Sequence, residues 1–195
     1  TDVHGVASGN SFSTVFVVNP AFPNAWSAAP VLTGNRHLAV GVNSNGTLLC
    51  LGGLPQSGGK LSVQSLAPGA GAFVDAARIN ARTIGLGAGM DALNRVIVFG
   101  GIDPGATAAN VTNYVYLPAT GIGSALASKH FATHDFAFCA DNLHRLYSIS
   151  GAVGAGTTTG TNAMERYDAN ANSWTTLAPM PVTRVNASAA YDGLG

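Results

Sequence analysis

Residues 163–195, AMERYDANANSWTTLAPMPVTRVNASAAYDGLG, decide the fold, because they spell strand, turn, strand, loop and strand in one unbroken run. Met164 to Tyr167 alternates as a short strand. Asp168-Ala-Asn-Ala-Asn-Ser is turn chemistry, since Asp and Asn side chains bond nearby backbone and tolerate tight bends. Trp174 to Leu177 reads as a second strand. Pro179 and Pro181 end it, because proline has no N–H to give to a ladder. Asn186 to Tyr191 is expected as a third strand, and Asp192-Gly193 opens the next turn.

The same order recurs upstream. Thr14 to Val18, Trp26 to Pro30, His37 to Val42 and Thr47 to Leu51 form one copy, closed by Gly52-Gly53. Leu61 to Leu66, Phe73-Val74, Thr83 to Met90 and Arg95 to Phe99 form a second, closed by Gly100-Gly101. Tyr114 to Leu117, Ala125 to Ser128, Asp135 to Ala140 and Arg145 to Ile149 form a third, closed by Ser150-Gly151. The closing pair returns after 48 and then 50 residues. A period of about 50 residues built only of short strands is the signature of a propeller.

The paired glycine after a strand, the Tyr-Asp before a turn and the Trp beyond it resemble the Kelch-repeat family. Tyr167, Asp168, Trp174 and Pro179 carry the pattern best. Trp26 and Phe73 fill the Trp column, the third copy has Gly123 or Ser124 there, and Ser150 stands where the first glycine belongs. The resemblance implies an all-β chain: a β-propeller of four-stranded antiparallel Kelch-type blades. The repeat units lie at about 14–53, 61–101, 112–151 and 163–195 of a single domain. With strands lettered a to d outwards from the axis, residues 14–18 and 25–29 are strands c and d. Three full blades follow, and residues 185–191 supply one more a strand, making fifteen strands and no helix. The register lacks a single b strand. The chain is then either part of a longer propeller of about six or seven blades, or it obtains that strand from another copy or from its N-terminal lead. An unpaired strand edge is a template for self-association.

Composition narrows the function. The chain is 47% hydrophobic but only 9% charged, with two lysines, Lys60 and Lys129, and a formal net charge of zero. That is neither disorder nor a basic surface for nucleic acid or anionic membrane. No run of about 18 apolar residues exists to span a bilayer. The start at Thr1 without Met is expected of a processed or trimmed chain. Scarce lysine with abundant Asn, Thr, Ser and Gly points to an extracellular or periplasmic setting. Cys50 and Cys139 fall in different sheets, too far apart to bridge, and read as two small buried thiols. Of the sequons at Asn45, Asn110 and Asn186, the last is expected inside an inner strand, where no glycan fits.

Antiparallel strands place the b-to-c loops and the d-to-a junctions on one face. The b-to-c loops, Leu54–Lys60, Ile102–Thr112 and Ala152–Asn162, are long and differ between copies, as binding loops on a rigid scaffold do. At the start of strand a stand Arg36, Arg82, His134 and Arg184. They are the candidate binding residues, with arginines suited to a carboxylate or sulfate. In Kelch domains this position lines the partner-binding pocket. The competing reading is that these arginines bond carbonyls of the neighbouring blade.

No catalytic set, metal-ligand cluster or cofactor motif emerges. His134 and Asp135, as strand neighbours, are expected to point to opposite faces. His130 and His134 do not form a helical ligand pair. Gly85-Leu-Gly-Ala-Gly89 lies in strand a and reads as close packing between blades rather than a phosphate loop. Kelch-type oxidases use copper with a crosslinked Tyr–Cys and two His ligands, a set that Cys50 and Cys139 do not complete. Three functions are expected in order: a non-enzymatic scaffold binding a protein or carbohydrate partner, a structural subunit joined through strand edges, and a carbohydrate oxidase or mutarotase.

Overall fold

The computed structural model describes residues 15–19, 22–30, 32, 36–55, 63–79, 84–103, 105–154 and 159–193. The expected N-terminal lead of residues 1–13, Lys60 and Arg82 lie outside the described residues. Among the described residues there are fourteen strands and no helix. A two-stranded sheet pairs β1 (Val15–Asn19) with β2 (Phe22–Ala29). Three four-stranded antiparallel sheets follow. Blade 1 holds β3 (Arg36–Ser44), β4 (Thr47–Pro55), β5 (Val63–Leu66) and β6 (Val74–Ala76). Blade 2 holds β7 (Gly87–Met90), β8 (Val96–Phe99), β9 (Asn113–Leu117) and β10 (Gly121–Leu126). Blade 3 holds β11 (Ala137–Ala140), β12 (Leu146–Ile149), β13 (Met164–Asp168) and β14 (Ser173–Leu177). Within each blade the strands are neighbours in chain order, and the first strands, β3, β7 and β11, pack side by side. This is an all-β fold of propeller-type blades.

Local chemistry explains the elements. β8, Val96-Ile-Val-Phe99, is buried at every position, as a strand flanked by sheet on both faces must be. Its turn from β7 is held by Asp91, whose Oδ1 accepts from the Leu93 and Arg95 N–H groups while Oδ2 accepts from the Arg95 guanidinium. Blade 3 repeats the device with Asp141, Leu143 and Arg145. Asn94 and His144 take the left-handed conformation at φ of 60° and 55°. Burial works against ionisation of Asp141, but the Arg145 and Leu143 N–H groups, the guanidinium and the Tyr147 hydroxyl outweigh it and hold the carboxyl below its usual range. Blade 1 makes the turn with Asn43, whose Oδ1 accepts from the Gly46 N–H.

The closing pair has a steric cause. Gly52-Gly53, Gly100-Gly101 and Ser150-Gly151 all have positive φ, between 61° and 105°. A side chain is disfavoured there. Ser150 tolerates the conformation at φ 64° because its Oγ donates towards the Thr161 and Arg184 carbonyls and accepts from the Arg184 N–H at 2.7 Å.

Two interfaces between blades form the core. The first joins Val42, Leu49, Leu51 and Val63 of blade 1 to Val96, Val98, Tyr114 and Tyr116 of blade 2. The second joins Ile97, Phe99 and Val115 of blade 2 to Phe136, Leu146, Tyr167 and Trp174 of blade 3. The inner glycines make close approach possible. A Cβ on Gly87 would lie 2.8 Å from Phe136, and one on Gly89 2.9 Å from Leu146. The Gly85–Gly89 segment is therefore a packing surface, as its glycine spacing suggests.

Three expectations need correction. Residues 185–191 form no strand, so the fifteenth is absent among the described residues. A strand exists only where a neighbour completes its ladder, and no described strand pairs with this segment. Consequently Asn186 is exposed rather than enclosed in a sheet. The a strands of blades 2 and 3 also begin late, at Gly87 and Ala137, because a left-handed residue precedes each, Gly85 at φ 57° and Asp135 at φ 51°. Asn186, at φ 55°, occupies the same place after blade 3. These residues are linked in series: the Asp135 N–H donates to the Gly85 carbonyl and the Asn186 N–H to the Asp135 carbonyl. A backbone chain of hydrogen bonds thus runs from blade to blade at the inner end of the sheets.

Candidate functional site

The described parts of the d-to-a junctions and b-to-c loops of blades 2 and 3 meet on one face, where isolated bridges lock them. Ile84 bridges Ile102 in blade 2, and His134 bridges Ala152 in blade 3. Ala152 also bridges Gly160 within its own loop, and Ala108 of the blade 2 loop bridges Gly154 of the blade 3 loop. The face is a connected layer of loops anchored on rigid sheets.

His134 lies at the centre of that layer. Its N–H donates to the Ala152 carbonyl and its carbonyl accepts from the Ala152 N–H. Its ring Nδ1 is 2.8 Å from Asp135 Oδ2 and its Nε2 is 3.1 Å from the Gly154 carbonyl oxygen. The imidazole side chain is 7% exposed and the carboxylate 12%. Alternation along a strand separates neighbours, but the left-handed backbone at Asp135 breaks the alternation and turns the two side chains together. The pair expected on opposite faces is therefore a direct contact.

The other residues of the column behave differently. Arg184 has an exposed side chain, and its Nη1 donates to the adjacent Thr183 carbonyl at 3.0 Å. Its backbone is held on both sides: the N–H donates to Ser150 Oγ, and the carbonyl accepts from the Gly151 N–H. Arg36 begins β3, and Arg82 lies outside the described residues.

Sequence reasoning missed a second feature. Glu165 is the chain's only glutamate, and it is buried with Lys129, one of two lysines. Strand pairing sets Phe138 beside Ser148, Ser148 beside Glu165, and Glu165 beside Thr176, making one rung across blade 3. Lys129 Nζ descends on this rung. It donates to Ser148 Oγ at 2.6 Å and Thr133 Oγ1 at 2.8 Å, and lies 3.5 Å from Glu165 Oε1. It also stands 4.0 Å from the Phe136 ring centroid, a cation–π distance. Glu165 Oε2 accepts from the His130 N–H at 2.8 Å. Burial pushes the Lys129 ammonium down to about 8, against the opposing attraction of Glu165. The available signal was scarcity, since a lone glutamate facing inwards on a strand demands a cation.

Cys50 is buried, Cys139 is half-buried, and neither forms a disulfide. Burial, followed by the nearby Asp141 charge, raises the Cys139 thiol above its ordinary value. Among the described residues, no three His, Cys, Asp or Glu side chains gather into a metal-binding group. No described helix is long and apolar enough to cross a membrane.

No family profile and no curated protein matches the chain. Solved structures do. The chain is similar to the structure of YjhT at 15% identity and a TM-score of 0.71, with 87% of this chain and 60% of that one covered. It is also similar to a novel fungal alcohol oxidase with catalytic diversity among the AA5 family, in complex with copper. That match has 13% identity and a TM-score of 0.55, covering 88% of this chain and 50% of the oxidase. The chain thus spans no more than three-fifths of either structure. Likeness at these identities speaks for the fold alone.

Proposed function

We propose that the chain is a Kelch-type propeller scaffold that binds a protein or glycan partner, without catalysis, through the face formed by the b-to-c loops and the d-to-a junctions. One observation carries the reading: Arg184 presents an exposed guanidinium from a backbone fixed by Ser150 and Gly151. A cation on a rigid base loses little order on binding, which favours recognition of a carboxylate or sulfate. Arg36 and Arg82 complete the proposed surface at the equivalent places in the repeat. His134 contributes by holding the loops, because both its ring nitrogens are already engaged. The setting proposed is extracellular or periplasmic.

The test is binding to an array of carboxylated and sulfated glycans with wild type, Arg82→Ala and Arg184→Ala. The reading expects weaker binding in both variants at an unchanged melting temperature. Equal loss of stability and binding would make the arginines structural and overturn it. Turnover of sugars in the presence of copper would replace it with the oxidase reading.

A second reading is a subunit of an extracellular assembly. It is favoured by the β1–β2 sheet, which no third described strand joins, and by the zero formal charge, which does little to keep copies apart. Light scattering decides it: a mass that rises with concentration supports assembly, and a constant monomer mass removes it.

A further inference from the structure

The His134 ring faces two acceptors, and an imidazole with one proton cannot satisfy both. Gly154 offers a carbonyl oxygen, so Nε2 must carry a hydrogen to bond it. Asp135 Oδ2 offers a carboxylate oxygen to Nδ1 at 2.8 Å, so a second hydrogen must lie on that line. Whether it resides on the nitrogen or on the oxygen, the pair holds one proton more than a neutral imidazole beside an ionised carboxylate. Removing it sets two lone pairs against each other at Nδ1, or turns the ring's lone pair onto the Gly154 oxygen. Neither arrangement keeps both bonds.

We infer that this extra proton is a latch: with it His134 ties the blade 3 b-to-c loop to the d-to-a junction, and without it the side-chain tie opens. The tie matters because of where it lands. Gly154 is also the residue that bridges Ala108 of the blade 2 loop. One proton therefore governs the point where two loops of neighbouring blades meet. The backbone bonds between His134 and Ala152 do not depend on it, so the response is confined to the stretch from Val153 to Gly154 and its partner Ala108. Asp135 is the charged side chain against the ring. Other ionisable groups on the elements around it are engaged elsewhere or bond other atoms. Lys129 is spent on Ser148, Thr133 and Glu165, and Arg184 bonds Thr183, while Asp103 of the blade 2 loop makes no bond to the ring. The described parts of the blade 3 loop near the ring, Ala152 to Gly154, and the blade 2 junction from Ile84 to Leu86 carry no titratable side chain. The latch rests on this geometry and holds whether or not the face binds a partner.

The experiment is residue-resolved amide exchange at Val153, Gly154 and Ala108, corrected for intrinsic rates, over a pH series wide enough to take in the loss of the proton from the pair. Ring nitrogen shifts of His134 are followed in the same samples. In the wild type, protection is expected to fall by about tenfold as the ring loses its proton, the scale of one hydrogen bond to a charged group. Asp135→Asn separates the latch from general pH effects. Asparagine suits the left-handed backbone, and its amide donates to Nδ1 while Nε2–H keeps Gly154. That variant is expected to stay latched across the range, with a flat profile. A wild-type profile that ignores the ring titration overturns the inference, as does a step of wild-type size in Asp135→Asn.

Discussion

The two inter-blade interfaces share one layout but not one chemistry. Between blades 1 and 2 the filling is mainly aliphatic, with Leu49, Leu51, Val63, Ile79, Val96 and Val98 clustered and Tyr114 and Tyr116 buried among them. Between blades 2 and 3 it is aromatic. Phe99 lies 5.6 Å from Phe136, 5.4 Å from Trp174 and 6.2 Å from Phe138, and Lys129 enters above Phe136. Both are fastened alike at the outer edge. Tyr116 donates its hydroxyl to the Ala77 carbonyl, and Trp174 donates its indole N–H to the Ala127 carbonyl. The matching amides are also taken, Ala77 by the Pro118 carbonyl and Ala127 by Asn172 Oδ1. The repeat therefore dictates where blades are pinned, while the substance between the pins is free to vary. The aliphatic interface depends on apolar burial, whereas the aromatic one also encloses the buried Lys129–Glu165 pair.

The sharpest way to break the comparison is Phe136→Ala. It removes the ring that covers Lys129 and stacks on Phe99, so stability is expected to fall by about 4 kcal/mol in urea unfolding. Leu49→Ala in the aliphatic interface is the control and should lose nearer 3 kcal/mol. Next comes Lys129→Met, which strands Glu165 in the interior. The expected loss is about 3 kcal/mol, recovered in large part by Lys129→Met with Glu165→Gln, whose side-chain oxygen still accepts from the His130 N–H. A double variant no better than the single one would show that the pair is dispensable and the methylene packing is not.

The charge pair also gives the interfaces different responses to pH. The folded Lys129 is held near 8, below the ordinary value of 10.5. Between those two values the unfolded chain binds more protons than the folded one, so stability attributable to Lys129 rises with pH across that window. Below pH 8 both states are protonated and the contribution is constant. Chemical denaturation at pH 7.5 and 10, in wild type and Lys129→Met, isolates it as a rise present only in the wild type. The smallest expected effect is Tyr116→Phe, which removes one hydroxyl bond at the aliphatic interface and should cost about 1 kcal/mol.

Much of the fold was legible because it rests on conformations that few residues tolerate. The closing glycines mark positive φ, Asp91 and Asp141 mark tight turns, and prolines mark strand ends. Such needs recur with each copy and so appear as columns. The late start of strand a was hidden for a related reason. Gly85, Asp135 and Asn186 share one left-handed place but have little in common as letters, and reading them as strand put Asp135 on the wrong side of His134. Of the candidate site, the positions of His134 and Arg184 on the loop face were readable from register. Lys129 was not, because Ile79 and Met180 occupy its column in the other copies, and a feature built once leaves no period. Its partner Glu165 looked like one polar letter in an alternating strand.

The indole bond from Trp174 to Ala127 has a consequence in time. Its partners are 47 residues apart in sequence. On a ribosome adding about 5–20 residues per second, roughly 2 to 9 seconds separate the appearance of the acceptor from that of the donor. Through that interval Phe99 and its neighbours await the blade that covers them. A greasy, half-finished surface exposed for seconds invites chaperones or other nascent chains. Slowing elongation through residues 127–174 is therefore a lever on yield that leaves the finished molecule untouched.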